Sequence, residues 1–345
     1  MRVLQVGAGS WGSSWAQIIA RAPFVELAGV VDPDSGALAR VGDLVGVPPE
    51  RRFRSLAEAL ARVEIDAALV VVPPAAHAGV AIEALEAGLH CLVEKPFALG
   101  LAEAGDAVRR AEEVGRILMV NQDYRFTRGA RTVRRLVAKG ALGPVEAIRV
   151  RFSQSPKVRP FHRELAEPLL LDMAIHHFDQ LRAIGCEIDR VWARSFNPSW
   201  SPLAGNAAAD VLLEANGGKT FIAYSGTWAP RGRNTGWSGE WEIHGERGAI
   251  VWDEDRVELV AAEEQRSARR LKRPFRRRLA LDRLGAEGRL GSLMELAAAL
   301  KEAREPETSG RDNLRTLAVV LAAVESADRG EPVELPGVKN SYSGD

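Results

Sequence analysis

Six residues near the N-terminus, Gly7-Ala8-Gly9-Ser10-Trp11-Gly12, constrain this chain more than any other stretch. They fit G-x-G-x-x-G, follow an apolar run at 3–6, and open a helical pattern over 11–21. A second apolar run, 27–31, ends at Asp32. In that βαβ setting each glycine has its own job. Gly7 permits the tight turn, Gly9 lets backbone approach a pyrophosphate, and Gly12 lets the helix pack on the strand. The helix that starts at Ser10 and Trp11 would present free N–H groups and its dipole to the anion. Asp32 lies 20 residues beyond Gly12, close to the spacing of the acid that binds adenosine ribose hydroxyls. Its carboxylate would repel a 2′-phosphate, so the expected cofactor is NAD rather than NADP.

The same alternation runs to about residue 120. Apolar runs at 67–72, 91–93 and 117–120 read as further buried strands, continuous rather than alternating, which suits a parallel sheet covered on both faces. Helical patterns separate them over 35–45, 55–62, 75–87 and 101–114. Ser55 with Glu58 has capping-box spacing, and Gly88 and Gly115 stand where helix C-caps favour glycine. The prediction is a doubly wound Rossmann sheet in the N-terminal part. Beyond it come a polar and aromatic linker at 121–126, helices over 128–139 and 166–184, and β-like runs at 145–153, 189–196, 207–215, 220–227, 239–244, 249–252 and 257–260. Asn216-Gly217-Gly218 marks a hairpin. Two helices follow, 292–303 and 311–328. The reading is α/β overall: a cofactor domain over 1–122, an α+β domain with an open, mostly antiparallel sheet over 123–335, and a tail over 336–345.

Composition narrows the partners. At about 150 residues per domain, 345 residues suggest two domains. Lys plus Arg and Asp plus Glu both number 46, a zero balance that argues against a dedicated binder of nucleic acid or anionic membranes. The most apolar run, 67–76, is too short to span a membrane and is broken by Pro73-Pro74. The N-terminal apolar stretch is too short for a signal peptide. Cys91 and Cys186, the only cysteines, form neither a disulfide framework nor a metal site, so the expectation is a reduced, cytoplasmic protein. The zero conceals an uneven spread. Residues 266–283 hold nine Lys or Arg and one Asp, a local +8, so the rest of the chain sums to −8. Such a run is ordinarily a solvated or inter-subunit loop rather than a nucleic-acid patch.

Two further stretches carry chemistry. Glu94-Lys95-Pro96 follows the strand at 91–93, and ligands collect beyond the carboxyl ends of strands in a doubly wound sheet. Val72-Pro73-Pro74, with His77 one turn on, follows the preceding strand in the same way. Lys95 can polarise an alcohol oxygen there, although a lone lysine is equally a solvated surface charge. Asp172 and His176 stand four residues apart and share a helix face. A carboxylate beside a histidine raises its pKa and holds its orientation, which makes either a general base for a hydroxyl proton or, without the glycine turn and Lys95, a structural helix pair at a domain interface. His177 points about 100° away. Adjacent histidines do not make the i, i+4 pair that a metal site prefers, so no metal is expected. Gln122 and Arg125 lie in the linker, where Arg125 serves either a substrate or the structure.

In order along the chain, the glycine turn, Val30-Val31-Asp32, Val72-Pro73-Pro74-Ala75-Ala76-His77, Glu94-Lys95-Pro96, Asn121-Gln122-Asp123-Tyr124-Arg125-Phe126, Asp172 with His176, and Glu325-Ser326-Ala327 before Gly330 resemble the glucose-fructose oxidoreductase, inositol dehydrogenase and MocA family. The resemblance implies a Rossmann domain that binds NAD(P), with Gly7, Gly9, Ser10, Trp11, Gly12, Asp32, Val72, Pro73, Pro74, His77, Glu94, Lys95 and Gln122 at the cofactor. It implies Lys95, Asp172 and His176 as the catalytic set, with Arg125 beside them at the substrate. The implied reaction is hydride transfer between nicotinamide and a secondary alcohol of a sugar, inositol or related polyol, in a homodimer or homotetramer built through the C-terminal sheet. Two alternatives stand beside it: a lyase or hydrolase that recycles NAD through transient oxidation, and a catalytically silent NAD-sensing regulator. This chain departs from the pattern at Leu169, Leu170, Leu171 and Ala174, where glycines are common. Trp200, Trp228, Trp237 and Trp241 either stack on a sugar or belong to core and interface.

Overall fold

The computed structural model describes residues 1–155, 157–158, 162, 165–261 and 276–335. They form two compact units. The first comprises Met1–Phe126 and Gly285–Arg315. Its sheet has six parallel strands, β1 (Arg2–Val6), β2 (Glu26–Val31), β3 (Arg52–Phe53), β4 (Ala67–Val70), β5 (His90–Val93) and β6 (Leu118–Val120), in the order β3-β2-β1-β4-β5-β6. The crossovers are helical: α1 (Ser10–Ile19), α2 (Ser35–Val45), α3 (Leu56–Leu60), α4 (His77–Glu86) and α5 (Leu101–Glu113). The strands β4 and β5 are almost wholly apolar because both sheet faces are covered, and Leu69, Val70, Leu92 and Val93 are fully buried. Ser55 caps α3 by accepting the Glu58 N–H at 3.2 Å. The chain reverses its direction of travel across the sheet between β1 and β4, which is where such folds open a ligand crevice.

Gly285–Arg315 belongs with this first unit, whereas the change in character after residue 122 places it in the second domain. The reason is apolar. Leu293 and Leu296 of the helix Gly288–Glu302 join Val3, Trp15, Leu69, Leu92 and Met119 in one core cluster. The segment also meets the edge of β6: Val120 donates its N–H to Thr308 O at 2.8 Å, and the Thr308 hydroxyl donates to Val120 O at 2.7 Å.

The second unit comprises the described residues of Thr127–Leu284 together with 316–335. After α6 (Arg128–Ala138) it builds a nine-stranded sheet from β7 (Val145–Ser153), β8 (Ile188–Phe196), β9 (Ala208–Ala215), β10 (Thr220–Thr227), β11 (Glu240–Gly245), β12 (Gly248–Asp253), β13 (Arg256–Ala261), β14 (Arg276–Arg278) and β15 (Val333–Glu334). The order is β14-β13-β12-β11-β7-β10-β9-β8-β15. Only the β7–β10 pair is parallel. The β9–β10 hairpin turns through Asn216, Gly217 and Gly218, all at positive φ, as its Asn-Gly-Gly sequence predicts. Alternation along the strands separates two faces. One buries Val150, Phe152, Val211, Leu213, Ile222 and Tyr224, and the other leaves Trp192, Leu212 and Phe221 exposed.

Residues 166–184 do not form one α-helix. A π-helical segment, Leu169–Ala174, runs into α7 (Ile175–Ala183). Single π turns of this kind are frequent at functional sites. Residues 262–275, which include 266–275 of the basic stretch, and the tail 336–345 lie outside the described residues. Of the remainder of that stretch, Arg276–Arg278 forms the exposed edge strand β14, and Asp282 accepts both N–H groups of the Arg135 fork at 2.6 to 3.0 Å. Among the described residues no helix is long and apolar enough to cross a membrane.

Candidate active site

In the first unit the glycine turn is built around close backbone contact. A Cβ on Gly7, whose φ is +110°, would lie 2.4 Å from Val71 O, and one on Gly12 would lie 2.3 Å from Gly7 O. Neither position has room for a side chain. Gly9 differs, since nothing lies within 4 Å of its Cβ direction. The turn is also stapled from below. Fully buried Gln5 donates its amide to Gly7 O at 2.8 Å and Gly12 O at 2.9 Å. Gln5 escaped the reading of the sequence, although a lone amide inside the run Val3-Leu4-Gln5-Val6 is the signal that could have found it.

Asp32, half-buried at the end of β2, accepts the Ala8 N–H at 2.7 Å and the Asp34 N–H at 2.9 Å. A carboxylate oxygen has two acceptor sites, so these bonds fix the group and leave it capacity for ribose hydroxyls. Together the open face of Gly9, the start of α1 at exposed Ser10 and the anchored Asp32 fit a dinucleotide. A further observation agrees. The Gln122 side-chain amide is fully buried at the end of β6, and neither its oxygen nor its nitrogen has a hydrogen-bond partner among the described residues. Buried polar atoms left so mark places where a ligand or water completes the bonding.

Glu94 and Lys95 end β5. Glu94 is buried and collects donors: its Oε1 accepts the indole N–H of Trp11 at 2.8 Å and of Trp15 at 2.6 Å, with the Asn121 amide at 3.0 Å. Its Oε2 accepts the Lys95 backbone N–H at 3.2 Å. The Arg289 guanidinium lies over Trp11, 4.3 Å from the ring centroid, and donates to Ser14 Oγ at 2.8 Å. His77 ties the two neighbouring turns together, with Nδ1 2.7 Å from Pro96 O and Nε2 2.8 Å from Val72 O. Burial holds His77 below the usual histidine range, against the two carbonyls and Glu94. Burial pushes the Asp123 carboxyl up to about 7, helped by Glu94 and opposed by Lys95 and Arg289.

Arg125 lies in the short helical turn Asp123–Phe126. It is buried, and its guanidinium donates to Asp312 at 2.7 Å and to Glu307 O at 3.2 Å.

In the second unit the π-helical segment carries Asp172, and α7 carries buried His176. Asp172 has a partner that the sequence did not reveal. His162 Nε2 lies 3.0 Å from its Oδ2, and the His162 ring stands edge-on to Trp228 at 5.1 Å. A histidine that belongs to no sequence period offers no signal that pairs it with a carboxylate ten residues on. His177 turns into the core, with Nδ1 3.2 Å from the Tyr224 hydroxyl and Nε2 3.1 Å from Trp237 O. Trp228 and Trp241 are buried, while Trp200 and Trp237 are about half exposed. Among the described residues no group of three or more His, Cys, Asp or Glu is placed to hold a metal.

Comparison with known proteins agrees with this geometry. A family model described as an oxidoreductase family with an NAD-binding Rossmann fold matches residues 1–122, and one for the GFO/IDH/MocA C-terminal domain matches residues 130–251. D-apiose dehydrogenase of Paraburkholderia graminis is 29% identical over 92% of this chain and 87% of its own. Myo-inositol 2-dehydrogenase of Thermotoga maritima is 24% identical over 98% and 99%. The fold matches an oxidoreductase from Agrobacterium radiobacter, solved in complex with NAD+, L-tartaric acid and magnesium, with a TM-score of 0.84 at 24% identity over 97% and 98% of the two chains. With its cofactor cradle followed by the mixed sheet, this chain is an NAD-binding oxidoreductase of the Gfo/Idh/MocA family, of the sugar and polyol dehydrogenase type.

Proposed function

We propose that this enzyme moves a hydride between NAD and a secondary alcohol of a sugar, cyclitol or related polyol. The observation that carries this reading is the place of Lys95. It directly follows Glu94, a carboxylate hydrogen-bonded to the glycine-turn helix, and its own backbone N–H donates to that carboxylate, which supports a role for this residue beside the cofactor. The relatives named for D-apiose and myo-inositol support a polyol substrate.

The bound nicotinamide supplies the hydride acceptor. The chain's own groups handle the proton and the developing charge. His176 takes the hydroxyl proton as the C–H electron pair leaves the carbinol carbon. The Lys95 ammonium stabilises the growing alkoxide, and Asp172, itself held by His162, orients His176 or the substrate. A general base contributes about 10² to 10⁴ in rate. His176→Ala is therefore expected to lose turnover by that factor while NADH affinity stays within about twofold, on whichever inositol, aldose or sugar acid yields NADH with the unaltered chain. Unchanged turnover in His176→Ala would refute the assignment.

The same proposal places the enzyme in the cytoplasm, in keeping with two buried free cysteines. It also pairs the open sheet face with a second copy of the chain, through a shallow groove lined by Arg149, Arg190, Trp192, Leu212, Phe221 and Pro332.

A further inference from the structure

The bonds to Glu94 hold three segments together: α1 through Trp11 and Trp15, the end of β6 through Asn121, and the Lys95 turn. A neutral acceptor would serve that purpose at lower cost, because burying a charge is far more expensive than burying an amide. A charge kept there can do more than hold these segments together.

With the pyrophosphate on the start of α1 and adenosine ribose on Asp32 at the end of β2, the order β2-β1-β4-β5 leaves the other half of the dinucleotide over the carboxyl ends of β4 and β5. Glu94 stands at the end of β5 and bonds Trp11 inside the glycine turn. The nicotinamide ring is cationic when oxidised and neutral when reduced. We infer that Glu94 sets the relative affinity for the two oxidation states, its buried carboxylate favouring NAD+ over NADH. This rests on the cofactor reading above, but not on the identity of the substrate or the catalytic base. The other charged groups of this corner are Asp123 and the two cations that act on it, Lys95 and Arg289; toward a cationic ring the cations oppose Glu94 and an ionised Asp123 reinforces it. His77, held neutral by burial, adds no charge.

The test is titration calorimetry of the full chain with NAD+, NADH and ADP-ribose, which lacks the nicotinamide. It is run at pH 8.5, above the value of about 7 to which the Asp123 carboxyl is pushed in the unaltered chain. Glu94→Gln keeps an oxygen for both indoles and removes the charge. Its Kd for ADP-ribose is expected within twofold of the unaltered chain, while the ratio of Kd for NAD+ to Kd for NADH rises about tenfold. Trp15→Phe removes one donor and keeps the charge, so its ratio should stay within twofold. Lys95→Met removes the opposing charge and should move the ratio the other way.

An unchanged ratio in Glu94→Gln with ADP-ribose still bound overturns the inference, as does a shift of equal size in Trp15→Phe. If Glu94→Gln does not fold, Lys95→Met decides: a fall in the ratio supports the inference and an unchanged ratio overturns it. If the unaltered chain binds none of the three ligands, the cofactor reading itself fails, and the inference with it.

Discussion

His176 and His177 are buried neighbours on α7, and they differ in what is legible residue by residue. Helical spacing, taken with the glycine turn and Lys95, points Asp172 and His176 toward chemistry and turns His177 aside. His177 lies in the core between Tyr224 and the Trp237 carbonyl, where burial pushes it down to about 4 despite that carbonyl. Its folded pKa lies below the unfolded value, so the unfolded chain binds the extra proton first. The native state is therefore undisturbed by this group above about pH 6.5 and loses about 3 kcal/mol as pH falls to about 4. His177→Asn should flatten that acid slope in urea midpoints measured from pH 7 to 4, whatever its effect at neutral pH. An equal slope in both proteins would rule out His177 as the cause. What sequence did not disclose at this scale, Gln5 under the glycine turn and His162 on Asp172, are polar side chains whose partners are set by tertiary packing rather than by spacing.

Among elements, α2, β7 and β10 occupy the spans that their patterns predict, because each is long enough to show a period. The strands β3, β14 and β15, of two or three residues each, are too short to show one. The π-helical segment before α7 has no sequence period of its own. The glycine turn offers a sharper test, since its glycines are required for different reasons. Gly12→Ala places a methyl against the backbone oxygen of Gly7 and should cost about 1–3 kcal/mol of stability, seen as a lowered Tm. Gly9→Ala meets nothing in the folded chain and should leave Tm within a degree or two. Its methyl instead occupies the face offered to the pyrophosphate, so NADH affinity should fall at least tenfold. Gly9→Ala binding NADH like the unaltered chain would contradict the pyrophosphate assignment.

For the molecule as a whole, the open sheet face is a surface that still asks for an explanation. Phe221 is 60% exposed and Leu212 51%, in the middle of a nine-stranded sheet. Exposed apolar groups gathered this way mark interaction surfaces. Phe221→Glu combined with Leu212→Glu should reduce the mass seen by light scattering to that of one chain and leave the far-ultraviolet spectrum unchanged. An unaltered mass would remove this face from assembly. The zero net charge of the chain belongs to the same scale. It sums an acidic body and one basic stretch, most of which leads into the exposed edge strand β14.

The make-up of the first unit also has a consequence in time. All six of its strands have been synthesised by Val120, but Leu293 and Leu296 complete the cluster around Trp15, and Thr308 caps β6. A ribosome adding about 5–20 residues per second needs on the order of ten seconds or more to travel from Phe126 to Arg315. Through that interval the cofactor cradle waits with part of its apolar floor uncovered, while the whole of the second sheet up to β14 emerges behind it. A nascent chain of this protein should therefore acquire NAD affinity late, only after most of its sequence has left the exit tunnel.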